Sequence, residues 1–179
     1  SKVVTTIGMF ILEEKNLIDF NDPVSKYIPS FSNLKCMKIK KQKNANFEDG
    51  DDYCLSSDNI YPCKNQMKII DLMSHRSGFC TPENFYVNAV KADNLEELME
   101  IISKQPLQYE PGTKYLYGVN QSILGRVIEV ASNMQFGEFL DQYLFTPLDM
   151  NSTKFYLTKE DKKLFYKNSM NLRLLTLKH

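Results

Sequence analysis

The 179-residue chain has no excess of either charge: 22 Lys and Arg balance 22 Asp and Glu. A nucleic-acid module usually carries a basic surplus, so this balance argues against one. Long apolar runs are missing as well. None approaches the roughly 18 residues that read as a membrane span. Residues 1–14 are apolar, but they hold a single basic residue and no small-residue cleavage site, so they do not read as a secretory leader. Glycine is scarce, at seven residues, which disfavours a glycine-rich phosphate cradle. Histidine is scarcer still: His75 is internal and His179 is the last residue. Cys36, Cys54, Cys63 and Cys80 include no C-x-x-C pair. A structural zinc site wants four N/S ligands in close pairs, so Cys54, Cys63, His75 and Cys80 make a poor set, and neither a metal nor a cofactor is implied. Three of the cysteines lie in one loop-like stretch, which leaves room for a disulfide but leaves its pairing and the redox compartment open. There is no repeat at a period of roughly 20–50 residues.

What is present is globular. Hydrophobic residues make up 42% and charged residues 25% of the chain, and the length suits about one domain. Val3, Val4, Ile7, Phe10 and Ile11 recur at helical spacing and predict a helix over 3–14, with Gly8 suggesting close packing inside it. Asn21-Asp22-Pro23 predicts a turn. Residues 33–66 are dominated by Lys, Asn, Asp and Ser, with a basic run Lys38–Lys43 followed by an acidic run Glu48–Asp52. That pattern reads as a solvated insertion whose opposite charges largely cancel. Helical order returns at 67–75, with Ser77-Gly78 as the stop and Gly78 as the expected C′ residue. Asp93 with Glu96 has capping-box spacing ahead of the stripe Leu95, Leu98, Met99 and Ile102. Glu110-Pro111-Gly112-Thr113 is a turn. Gln121–Ala131 and Phe136–Phe145 are further amphipathic helices, the second stopped by Pro147. Residues 154–177 are less periodic and suit either a strand or a frayed helix. The resulting segments are 1–32, the insertion 33–66, and a helical region 67–179.

Four blocks carry more than composition does. LEEKNLIDFNDPVSKYIPSF (12–31) resembles the segment after the nucleophile helix of serine β-lactamase-like hydrolases. MKIIDLMSHRSGF (67–79) resembles their I-T-I-R-x-L-L-T-H-x-S-G-L segment. QYEPGTKYLYGVNQSILGRVIEVAS (108–132) resembles their F-x-P-G-T-x-W-x-Y-S-x segment and the helix after it. FGEFLDQYLFTPLDMNSTKF (136–155) resembles their helix followed by P-L-G-M-x-x-T-x-F. The blocks stand in family order over about two-thirds of the chain. The chain thus resembles the class C β-lactamase, penicillin-binding protein and esterase group. The resemblance implies a mainly α fragment of an α+β fold, in which an antiparallel sheet and a helical region flank the active-site cleft.

The family nucleophile lies in Ser-x-x-Lys at the start of a buried helix. Residues i and i+3 share a helix face, so the amine reaches the hydroxyl. A neighbouring base must take the serine proton, and a lysine does so only when its pKa is lowered. By resemblance the motif lysine falls on Lys2, and the serine would lie three residues earlier, ahead of Ser1. Ser1 then fills an x position. Ser1 as nucleophile is disfavoured, because i and i+1 side chains diverge on a helix. The family tyrosine falls on Tyr117, where a phenol beside an ammonium would act as general base and then general acid. Tyr115 falls on an aromatic packing position. The class C pattern wants asparagine at Val119. Its absence leans toward esterase or peptidase chemistry, with Asn120, one residue late, as a weak substitute. His75 ends a helix and reads as structural, and Phe79–Pro82 would border the cleft. The later Lys/His-x-Gly strand has no match, and His179 lacks the following glycine.

Three readings follow. The first is a serine hydrolase working through an acyl-serine intermediate on an ester, amide or β-lactam, with Lys2 and Tyr117 as catalytic residues and a small-molecule or peptide substrate. On this reading the chain is incomplete and inactive by itself. The second is a non-catalytic binding or assembly module of the same fold. The third is an unrelated helical scaffold, in which Lys2 and Tyr117 would lie far apart.

Overall fold

The structure, a computed structural model, describes residues 2–38, 59–80, 91–155 and 158–163. Helix α1 (Lys2–Glu14) buries Thr5, Gly8, Met9 and Leu12. The spacing of those four residues marks one helix face. The large apolar residues named from the sequence do not form that face: Val3, Ile7 and Phe10 are exposed. Small residues mark the buried side because they admit a neighbouring helix. A Cβ on Gly8 would stand 2.9 Å from Ile128 Cδ1 and 3.4 Å from Leu140 Cδ2. Asn16, at φ 56°, closes the helix. Its N–H donates to Glu13 and that of Leu17 to Leu12, the paired bonds of a Schellman end.

The ends of the polar 33–66 stretch are built into the fold. Strand β1 (Lys35–Met37) pairs antiparallel with β2 (Ile60–Pro62), with Cys36 opposite Tyr61. On its other side β1 exchanges backbone bonds with Leu107. Cys36 is fully buried and forms a disulfide with Cys63. Three-residue strands show no legible alternation, so the sequence pattern gave no sign of them. The acidic run Glu48–Asp52 and Cys54 lie outside the described residues.

Helix α2 (Ile69–Met73) is short. Its left-handed end residue is His75, at φ 55°, rather than the expected Gly78. His75 N–H donates to Leu72 and Arg76 N–H to Asp71, again a Schellman end. Gly78 serves a different need: at φ 85° it lies where a Cβ would meet the Tyr109 carbonyl oxygen at 2.1 Å. Helix α3 (Leu95–Ile102) is capped by Asn94, whose side chain accepts from Glu97 N–H, one residue later than the expected Asp93–Glu96 pair. The long helix α4 (Asn120–Ser132) is central. It buries Ile123, Leu124, Val127 and Ile128 completely and packs on α1, α2, α3 and the following helix. That helix, α5 (Phe136–Leu140), widens into a π-turn over Asp141–Phe145, so the single helix expected over 136–145 is two geometries in series. The described residues are mainly helical with one small antiparallel ribbon, as expected for the helical part of the α+β fold. No helix among the described residues is long and apolar enough to cross a membrane.

Candidate active site

Lys2 opens α1, and α1 is held in depth by Gly8 against α4 and α5. Tyr117 is positioned from two directions. The turn Glu110–Thr113 precedes it: Thr113 N–H and Oγ1 both donate to the Glu110 carbonyl, and Gly112 takes φ 81°. Leu116 N–H then donates to the His75 carbonyl at 2.8 Å, which ties the strand-like approach to the end of α2. On its far side Gly118 lets the chain lie against Phe79: a Cβ there would meet the Phe79 carbonyl oxygen at 2.3 Å. The chain turns into α4 three residues after Tyr117. Lys2 therefore meets Tyr117 ahead of α4, while Gly8 meets Ile128 farther along it, so α1 and α4 run in the same direction. Their N-termini open toward the same end, where backbone N–H groups favour negative charge.

Lys2 and Tyr117 come together. Lys2 Nζ sits over the Tyr117 ring, 4.8 Å from its centroid. Hydrogen bonding to the Tyr117 phenol, then charge interaction with it, raises the Lys2 pKa above its ordinary value. Desolvation opposes this weakly, because the amine is open to solvent, and Tyr115 adds to the rise. The direction is upward, whereas a lysine that takes a serine proton needs a lowered pKa.

The surroundings of Tyr117 differ from the sequence reading at Tyr115 and Asn120. Tyr115 is exposed rather than packed, with its ring 5.9 Å from that of His75. His75 lies beneath the site: its ring stacks on Tyr117 at 5.2 Å with planes 20° apart. Asn120 does not substitute for an asparagine at Val119. It is fully buried, with Nδ2 2.9 Å from His75 Nδ1 and Oδ1 accepting from the Ser77 hydroxyl. Ser77 Oγ in turn accepts from Phe79 N–H. Ser77, Asn120 and His75 form a buried polar chain that sequence order conceals, because Ser77 and Asn120 stand 43 residues apart. Phe79 is a core residue, its ring tilted against that of Phe31 at 5.8 Å, and its backbone lies against Gly118 beside Tyr117. Ser1, Thr81, Pro82 and His179 lie outside the described residues.

The cysteines offer no ready metal site among the described residues. Cys36 Sγ, Cys63 Sγ and a Glu110 oxygen lie within 4.8 Å of one another, but the two sulfurs are bonded to each other. Cys80 is also disulfide-bonded, so the set Cys54, Cys63, His75 and Cys80 loses at least two thiolates.

The Beta-lactamase family model matches residues 1–167. A protein of Salmonella typhimurium named as a D-alanyl-D-alanine carboxypeptidase is 31% identical over 156 residues, covering 84% of this chain and 31% of the relative. FmtA from Staphylococcus aureus superposes with a TM-score of 0.64 at 24% identity, covering 90% of this chain and 37% of FmtA. EstCE1, titled a hydrolase with promiscuous acyltransferase activity, gives 0.66 at 21% identity, covering 89% of this chain and 39% of its own. The chain belongs to the β-lactamase family. It is similar to penicillin-binding and esterase-like hydrolases, and it spans about a third of the length of the curated relative it matches.

Proposed function

We propose that this segment supplies the lysine–tyrosine half of a serine hydrolase site, which works through an acyl-serine intermediate on an ester or amide. The observation that carries the reading is the Lys2–Tyr117 contact at the front of α1. In this reading the nucleophile is a serine three residues ahead of Lys2, one helical turn away on the same face. Lys2 serves as the fixed cation rather than as the proton acceptor, because Tyr117 raises its pKa. Tyr117 acts as a phenolate, a form that the ammonium beside it stabilises. It takes the serine proton as the hydroxyl attacks the carbonyl carbon and so becomes the neutral phenol. The same phenol then returns the proton to the leaving group, and the cycle repeats with water for deacylation. Val119 in place of an asparagine favours ester or peptide substrates over β-lactams, and the carboxypeptidase name of the Salmonella relative points toward the peptide class.

The experiment is Tyr117→Phe in the full native chain, assayed on activated esters and D-Ala-D-Ala peptides. The expected loss is roughly 10²–10⁴ in kcat, the usual span for a lost proton-transfer group. An unchanged rate removes Tyr117 from the mechanism. Labelling by a fluorophosphonate or penicillin probe tests the serine directly.

One observation favours a second reading. Lys2 is exposed and its pKa is raised, the reverse of what a proton-accepting lysine needs. The residue encoded three positions before Lys2 discriminates: serine supports the hydrolase, and any other residue supports a binding or assembly module.

A further inference from the structure

We infer that His75 is a positioning residue for Tyr117, acting through ring stacking and held in place by the buried Ser77–Asn120 pair. The inference rests on the role proposed above for Tyr117.

Three observations carry it. The first is contact: the His75 and Tyr117 rings lie 5.2 Å apart and nearly parallel, at 20°. Lys2 Nζ is 4.8 Å from the Tyr117 centroid, so the phenol ring is held by a cation contact as well as by the imidazole. The second is a buried partner. Ser77 Oγ accepts from Phe79 N–H and donates to Asn120 Oδ1. Asn120 is fully buried, and its Nδ2 lies 2.9 Å from His75 Nδ1, so the imidazole is held at its inner edge by a side chain that cannot swing away. The third is anchoring. His75 takes φ 55° at the end of α2, and its own carbonyl receives Leu116 N–H, one residue before Tyr117. Backbone and ring of a single residue thus set both the approach and the face of the tyrosine.

The chemistry needs such a platform. Tyr117 is partly exposed, 37% by area, so the core alone does not fix its ring. Proton transfer needs the phenol oxygen within hydrogen-bond reach of the serine, and a misplacement of about 1 Å can cost on the order of 10²-fold.

The test compares His75→Asn and His75→Gly in the full native chain, each alone and combined with Tyr117→Phe. Both residues tolerate the left-handed backbone, so the helix end survives. Asparagine also keeps an acceptor oxygen for Asn120 and removes only the ring. Positioning predicts that His75→Asn lowers kcat about 10- to 100-fold with KM within about twofold. His75→Gly should match it, and neither should lower the rate further in the Tyr117→Phe background. A His75→Asn enzyme with wild-type kcat beside an inactive Tyr117→Phe enzyme overturns the inference and leaves the hydrolase reading intact. An equal loss in both backgrounds makes His75 merely structural and also overturns it. A Tyr117→Phe enzyme of full activity removes the reading itself. Melting curves accompany each variant. If His75→Asn unfolds early, the His75→Gly cycle decides by the same criterion.

Discussion

Gly118 controls where Tyr117 can stand. Its missing Cβ lets the chain lie on the Phe79 carbonyl, with backbone rather than a flexible side chain on the other side. Gly118→Ala therefore has nowhere to relax, and it should destabilise the chain by about 1–3 kcal/mol, the usual cost of overpacking. Urea melts check this; a variant as stable as the parent would mean that the two segments part easily. Gly8 makes the contrast. Its close neighbour is the tip of Ile128, which can turn aside, and alanine regains up to about 1 kcal/mol of helix propensity. Asp22 is a second residue with a measurable role. Its Oδ2 accepts from Lys26 Nζ at 2.8 Å, Tyr27 Oη at 2.5 Å and Asp19 N–H at 3.0 Å. Hydrogen bonding to Lys26, then to Tyr27, lowers its pKa from 3.8 to about 2. The folded value lies below the unfolded one, so this stabilisation is full above pH 4 or so and is lost as pH falls through about 2. Discounted for the exposed Lys26, it is worth about 1–2 kcal/mol. Asp22→Asn should remove that amount at pH 7 and flatten stability between roughly pH 4 and 2, as read by denaturant melts across pH.

At the scale of elements, helices were legible where the 3.6 period was long and unbroken. In α4, Ile123, Leu124, Val127 and Ile128 fall on the core exactly where the stripe puts them on one face. Reading failed where size was taken for burial. In α1 Val3, Ile7 and Phe10 look outward, while Thr5 and Gly8 join Met9 and Leu12 on the inner face, where the close approach of Ile128 at Gly8 favours a small residue. Helix ends slipped for a related reason: Asn94 and His75 both do jobs that Asp93 and Gly78 have the chemistry to do, and only the packing of the next element chooses between them. The candidate site divides in the same way. Lys2 and Tyr117 could be named because they stand in linear motifs, whereas the Ser77–Asn120–His75 chain joins separate segments and has no linear signature. The apolar outer flank of α1 carries its own prediction. Val3 and Phe10 are more than half exposed and Ile7 is 37% exposed. The chain should self-associate through this flank, and Phe10→Lys should reduce that association in sedimentation equilibrium.

For the molecule as a whole, one long helix holds the remainder together. α1, α2, α3 and α5 all pack on α4, and Arg126 of α4 pairs with both Glu96 on α3 and Glu129 on its own helix. The β1–β2 ribbon lies to one side, joined through Leu107 and the Cys36–Cys63 bond. That bond closes a stretch of 27 residues, and confining such a loop in the unfolded chain stabilises the fold by about 3–4 kcal/mol in the chain-entropy picture. It also has a topological effect. A protease that cuts once anywhere between Met37 and Pro62 severs the backbone without separating the molecule. The nicked protein should run as one band on a gel without reductant and as two with it, and the Lys2–Tyr117 end, which lies outside the loop, should be unaffected by the cut.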